Sequence, residues 1–218
     1  MRDASPPEAF GPAEFQAVSG VSRETLARLK LFVGLLTDWN VRMNLVSANS
    51  LQEVWRRHVW DSAQLLPFIH EDARSLVDLG SGAGFPGLVL AVMLAERPDF
   101  RTVLYESIAK KCRFLEEVAH RVGVAAEIRN ARIEDATPEP FDLVTARACA
   151  PLTQLLSYAY VFQGKNTQCL FLKGRSVGAE LVEANKSWTM VVEQHRSRSD
   201  PSGMILAIRE LRHVTSRH

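Results

Sequence analysis

Val77-Asp-Leu-Gly-Ser-Gly-Ala-Gly-Phe-Pro-Gly87 is the stretch on which the fold turns. It closes a short apolar strand, predicted over 75–79, and opens a helix predicted over 87–94. Gly80, Gly82 and Gly84 let the backbone turn tightly and approach a ligand closely. In an open α/β sheet the ligand lies at the carboxyl ends of the strands, beside such a loop. Working outward, apolar strands are predicted at 101–105, 124–128, 142–146 and 168–172. Helices are predicted between them at 109–122, 152–161 and 177–185. Strands that are apolar throughout and alternate with helices make a mostly parallel sheet covered on both faces. Two further strands, 188–193 and 204–208, are joined by the polar turn 197–203, and so short a connection makes that pair antiparallel.

Upstream the pattern is helical. Residues 1–20 read as a loose lead-in with one short helix around 13–18. Ser22 stands as an N-cap before an amphipathic helix reaching about Trp39. Ser50 and Glu53 have capping-box spacing for another helix ending near Pro67. The expected organisation is a helical extension, 1–70, packed on an α/β domain, 71–218.

A chain of 218 residues with 46% hydrophobic side chains can build one such core without a disulfide or metal staple. Cys112, Cys149 and Cys169 form no CxxC pair, so neither a zinc site nor a disulfide framework is predicted. The longest apolar run, Leu88 to Ala95, is too short to span a membrane, and the first thirty residues carry no apolar targeting core. A cytoplasmic, metal-free protein is the expectation. Net charge is +1, but residues 143–218 hold ten basic and five acidic side chains. That balance suits a polyanion held beside a small-molecule pocket, and equally an ordinary solvated face.

The loop and Glu106 together suit a nucleoside cofactor, because a carboxylate ending the second strand can accept both hydroxyls of a ribose. NAD and S-adenosylmethionine both meet that description. Three features favour S-adenosylmethionine. Asp78 stands two residues before the first glycine, where it could meet a methionine ammonium. Phe85-Pro86 is a poor cradle for a pyrophosphate. No second substrate domain follows. Beyond the third strand, Ile133 and Glu134 could face an adenine, or could simply open a helix whose N-terminus favours acids.

The chain resembles the RsmG family, also called glucose-inhibited division protein B. The resemblance is carried by Trp39-Asn40 with Asn44-Leu45, Arg57-His58 with Asp61-Ser62, and the glycine loop. It continues through Glu106 with Lys110-Lys-Cys-Arg-Phe-Leu115, Ala131-Arg-Ile-Glu134, Arg147-Ala148 and Leu172-Lys-Gly174. It implies a class I S-adenosylmethionine-dependent methyltransferase: a Rossmann-like, mostly parallel seven-stranded sheet with an antiparallel last strand and an N-terminal helical extension. It also implies transfer of a methyl group to N7 of a guanine in 16S ribosomal RNA, at position 527 in the family's usual numbering. The family's cofactor positions fall on Gly80, Phe85, Ile133, Glu134 and Arg147, and its ribose acid on Glu106. Glu106 stands where Asp is common, and Cys149 where Phe or Val is common; Cys149 is expected to be a buried filler.

N7 already has an in-plane lone pair, so the reaction needs alignment and no general base. Arg147 and Lys173 end neighbouring predicted strands and are the expected catalytic pair, neither acting as a base. Arg147 could meet guanine O6, a phosphate or the cofactor carboxylate, or be a structural ion pair. Lys173 and Arg132 are phosphate candidates. His58, Asp61 and Ser62 share a face at i, i+3 and i+4 and are expected to form, with Asn44, a network bracing the pocket. The expected partner is 16S ribosomal RNA, in the small subunit or an assembly intermediate, bound by a monomer. The rival readings are a methyltransferase for another RNA site or a small acceptor, an NAD-linked oxidoreductase, and a non-catalytic RNA-binding subunit.

Overall fold

The computed structural model describes residues 10–214; the beginning of the loose lead-in lies outside them. The N-terminal section holds α1 (Pro12–Ser19), α2 (Arg23–Asn40) and α3 (Ala48–Gln52). A π-helical turn (Trp55–Trp60), α4 (Asp61–Ala63) and a 3₁₀ turn (Leu66–Phe68) follow. Next come β1 (Ser75–Leu79), α5 (Gly87–Met93), β2 (Arg101–Glu106), α6 (Ala109–Val122), β3 (Glu127–Asn130) and β4 (Phe141–Arg147). The chain closes with α7 (Leu152–Tyr160), β5 (Gln163–Lys173), α8 (Val177–Ala184), β6 (Trp188–Arg196) and β7 (Met204–His213).

The seven strands lie in the order β3-β2-β1-β4-β5-β7-β6, with β7 antiparallel to both of its neighbours. The order reverses between β1 and β4, and a crevice opens there at the carboxyl ends. This is the class I methyltransferase arrangement expected from the sequence. Ser22 caps α2 as predicted, its hydroxyl accepting from the Thr25 amide at 3.0 Å. Leu29, Phe32 and Leu36 of α2 are fully buried in one cluster with Phe85, Leu88 and Phe114, so the N-terminal helices share a core with the sheet's helices.

Three local expectations fail for identifiable reasons. The third strand starts at Glu127 rather than Val124, because Gly123 ends α6 in the left-handed region and the Val124 amide is spent on Ala119 O. Ser47, not Ser50, caps α3: its hydroxyl accepts from the Ser50 amide, and Ser50 is buried inside the helix. The helix expected to run to Pro67 is broken into α3, a π-turn and two shorter turns.

Candidate active site

The glycine loop is held from within. Gly80, Gly82 and Gly84 take φ of +66°, +56° and +88°, which disfavour any other residue. Three of its amides are already engaged: Ser81 N–H donates to Tyr105 O, Gly82 N–H to Glu106 Oε2, and Gly84 N–H to Ser81 O, at 2.9, 2.9 and 2.7 Å. A loop so engaged is not a pyrophosphate cradle, which answers the dinucleotide reading with geometry. A Cβ on Gly80 would lie 2.6 Å from Cys149 Sγ. The two walls of the crevice therefore meet at that glycine.

Two cavities open on either side of it. The smaller, about 290 Å³, is lined by Glu106, Ile133, Glu134, Cys149 and Tyr158 among others. The larger, about 680 Å³, lies between the loop, Phe85, Arg147 and Lys173 on one side and Leu45, Val46 and His58 of the N-terminal section on another. Gly80 and Lys111 line both. Glu106 is buried and uses both oxygens on backbone amides, Oε2 on Gly82 and Oε1 on Ile108 at 2.8 Å. Each oxygen keeps a second lone pair for a ribose hydroxyl. Glu134 accepts from the Tyr158 hydroxyl at 2.7 Å, which pulls its carboxyl below the ordinary range. Arg132 beside it is exposed, and its guanidinium lies 4.0 Å from Glu134.

Asp78 is placed differently from the expectation. It is fully buried and lines neither cavity, so a contact with a methionine ammonium is not what this geometry offers. Oδ1 accepts from the Thr145 hydroxyl at 2.7 Å, and Oδ2, which has no hydrogen-bond partner, points at Gly87, whose added Cβ would sit 2.6 Å away. Burial pushes the carboxyl up to about 6, against the pull of Ser81 and Thr145. The unfolded chain ionises Asp78 near 3.8 and the folded chain near 6, so its contribution to stability is whole below 3.8 and is lost as pH rises to 6. Asp78→Asn is expected to remove that loss and to gain up to about 3 kcal/mol at pH 7.5, with none at pH 3.5. Urea midpoints at the two pH values measure it, and equal gains at both would rule out the titration of Asp78 as the cause.

Phe85 organises the larger cavity. It stacks on Phe32 at 5.1 Å and on His58 at 4.8 Å, and the Arg147 guanidinium sits 5.1 Å from its ring centre. Arg147 Nη1 donates to Arg57 O at 3.0 Å and lies 3.6 Å from Asp61 Oδ2. Asp61 Oδ1 accepts from Ser199 Oγ at 2.5 Å and from Gln64 Nε2 at 2.9 Å. Burial raises the Asp61 carboxyl, and the serine hydroxyl and Arg147 restrain the shift. The turn between β6 and β7 is thereby tied to the N-terminal section, and Arg147 is fixed at the cavity wall.

The network expected of His58, Asp61, Ser62 and Asn44 does not form. Both ring nitrogens of His58 are buried without partners, and burial with Arg147 and Arg57 nearby pushes its pKa down to about 3. Ser62 Oγ donates to the backbone oxygen of His58 at 2.7 Å. Asn44 is exposed. The asparagine that shapes the neighbouring loop is Asn40, whose side chain accepts from the Leu45 and Val46 amides and donates to Val46 O. His58 and Asp61 both border the larger cavity, but they do not meet: the imidazole is stacked on Phe85, and the Asp61 carboxylate is engaged by Arg147, Gln64 and Ser199.

Lys173 also departs from expectation. Its ammonium lies 2.6 Å from Glu180 Oε2 and donates to Ala150 O at 3.1 Å, with the side chain 8% exposed. It is already neutralised, and it clamps the turn between β4 and α7 instead of waiting for a phosphate. Cys149 is half-buried on the cavity wall, not a core filler, and burial pushes its thiol up to about 11. Lys111, Tyr158 and the serines of the β6–β7 turn were not singled out by the sequence reading. Lys111 stood within the Lys110–Leu115 stretch that carries the resemblance but was given no role, and its place in the first turn after the second strand is a further signal that could have found it. Among the described residues, no group of three or more His, Cys, Asp or Glu side chains could hold a metal.

The family model for GidB, rRNA small subunit methyltransferase G, matches residues 25–202. A ribosomal RNA small subunit methyltransferase G from Paramagnetospirillum magneticum is 49% identical over 202 residues, 93% of this chain and 97% of that protein. One from Rhodospirillum centenum is 48% identical over 206 residues, 94% of either chain. Among solved structures, a ribosomal protein L11 methylase from Lactobacillus delbrueckii subsp. bulgaricus superposes with a TM-score of 0.57 at 15% identity, over 75% of this chain and 79% of that one. The mitomycin 7-O-methyltransferase MmcR does so with 0.55 at 13% identity, over 91% and 71%. At such identities the structural likenesses speak for the fold alone.

Proposed function

The chain belongs to the rRNA small subunit methyltransferase G family, and from that membership we infer that it methylates N7 of a guanine in 16S ribosomal RNA. We place the target at guanine 527 and the methyl donor as S-adenosylmethionine. The observation that carries the reading is the junction of the two cavities at Gly80, one with a ribose acid, the other walled by a fixed guanidinium.

The residues present fit the donor. Glu106 offers two acceptors in the wall of the small cavity, Ile133 an apolar surface, and Gly80 a wall with no room for a side chain. S-adenosylmethionine supplies an electrophilic methyl group on a sulfonium. The protein's part is to exclude water and align the acceptor nitrogen. Among the described residues, none that lines the cavities is set up as a nucleophile or a base. The Cys149 thiol is pushed up to about 11 and stays protonated, and His58 is held neutral with its nitrogens out of reach. That inventory suits N7, which has no proton to lose, and does not suit cytosine C5, which calls for a thiolate.

In this reading residues 1–70 form an extension that completes the acceptor cavity of the methyltransferase domain, 71–218. The enzyme works as a monomer in the cytoplasm, on the small subunit or an assembly intermediate. No helix among the described residues is long and apolar enough to cross a membrane. Transfer of labelled methyl to 16S RNA followed by nucleoside analysis tests the assignment. The expected product is 7-methylguanosine, and any other methylated nucleoside overturns it. Glu106→Ala is expected to weaken donor binding by roughly 1.5–3 kcal/mol for each charge-assisted hydrogen bond to the ribose. It also frees the amides of Gly82 and Ile108, so the loop loosens. Calorimetry on the folded variant decides the point; an unchanged Kd removes Glu106 from the donor site.

A further inference from the structure

Among the described residues, every cation on the larger cavity is spoken for except one. Arg147 is held by Asp61 and Arg57 O, Lys173 by Glu180, and Arg57 lies 3.7 Å from Glu53. The Lys111 ammonium has no hydrogen bond and no ion pair among the described residues. It stands in the first turn of α6, where the helix dipole disfavours a positive charge and no acidic residue offsets it. An unpaired ammonium in that place adds nothing to the helix, and its half-buried side chain borders both cavities. It is the one charged residue they share.

Such an ammonium wants an anion, and the site offers two sources: a carboxylate on the methyl donor or a phosphate of the RNA. The small cavity already presents Glu106 and Glu134, which repel a carboxylate and suit hydroxyls. The larger cavity holds neither of them, and its own acids are engaged, Asp61 by Arg147, Glu180 by Lys173 and Asp200 by Ser202, so a phosphate can meet Lys111 there. An ammonium is a compact, rotatable donor and needs no planar partner. We propose that Lys111 is a positioning residue that holds a backbone phosphate beside the target guanine as the strand enters the larger cavity. The proposal rests on the function inferred above.

The test compares wild type, Lys111→Gln, Lys111→Arg and Lys110→Gln on the same 16S RNA substrate. Lys110 carries the same charge in the same helical turn but lines neither cavity. Binding is measured as log K against log salt, with donor affinity measured separately by calorimetry on S-adenosylhomocysteine. Losing one phosphate contact makes the slope shallower by about 0.7–0.9 and lowers affinity at 0.1 M salt about fivefold. Lys111→Gln is expected to show both, with KM for RNA raised, kcat little changed and donor affinity intact. Lys111→Arg restores the slope, and Lys110→Gln keeps it. An unchanged slope in Lys111→Gln, or an equal loss in Lys110→Gln, overturns the proposal. So does a loss confined to donor affinity, which would give the ammonium to the donor carboxylate. Failure of the wild type to methylate 16S RNA would instead overturn the function itself, so the two failures are distinguishable.

Discussion

Replacing Arg147 by alanine is expected to lower the single-turnover rate of methyl transfer about 100-fold at saturating donor and RNA, the order of loss for a misplacement of about 1 Å. The guanidinium is fixed on three sides, by Arg57 O, by Asp61 and by the Phe85 ring. It is therefore oriented before any substrate arrives. Lysine should recover little, because a point charge cannot reach the carbonyl, the carboxylate and the ring face together. Arginine stays protonated at any working pH and N7 has no proton to remove, so the pH profile from 6 to 9 should keep its shape while its height drops. Removing Arg147 also leaves Asp61 buried without its cation, so a thermal melt must show that the variant is folded. Asp61→Asn gives the second reading: it keeps a side chain for Ser199 and Gln64, removes the ion pair, and should slow transfer less than Arg147→Ala. An undiminished single-turnover rate in folded Arg147→Ala makes the residue purely structural. Disappearance of an ionisation seen in the wild type would mean that a base operates, and that N7 is the wrong target atom.

Legibility in the sequence followed how local the determining physics was. The strand of Ser75–Leu79 and the helix of Ala109–Val122 match their predicted bounds, because apolar runs and the Gly123 stop signal are written locally. The positions of the glycine loop and Glu106 were legible for the same reason, since both stand at strand ends. The edge strand β3 was misplaced because it is only partly buried and carries a single apolar residue, Ile128. Lys173 misled because its partner, Glu180, lies on the following helix, and nothing in Leu172-Lys-Gly174 announces that ion pair. Arg147 was found as a strand-end residue, but the serines that steady Asp61 come from a turn more than 130 residues later, beyond any spacing rule. The bracing network around His58 was drawn from spacing along one helix, whereas the partners that hold His58 and Asp61, Phe85, Arg147 and Ser199, come from segments far along the chain.

That same histidine should set how the protein responds to acid. Its imidazole is stacked on Phe85, has no partner for either nitrogen, and faces Arg147 and Arg57. Its pKa falls from 6.5 to about 3, first through burial and then through the two guanidinium charges. The folded state thus keeps His58 neutral while the unfolded chain protonates it below 6.5. Its contribution to stability is whole above 6.5 and is lost as pH falls towards 3. Each pH unit in that window costs about 1.4 kcal/mol, or about 3 kcal/mol by pH 4.5. Asp78 works in the opposite direction between 3.8 and about 6, so the wild-type curve alone understates the histidine. The comparison that isolates it is His58→Phe, which keeps an aromatic ring on Phe85 and removes the proton site. At pH 7.5 the two proteins differ only by packing, and at pH 4.5 the gap should have moved about 3 kcal/mol in favour of the variant. Asp78 titrates in both and drops out of the difference. Urea midpoints at the two pH values measure it. A gap that stays constant between them would mean that His58 is protonated in the folded protein, and that its orphaned nitrogens find a partner on acidification.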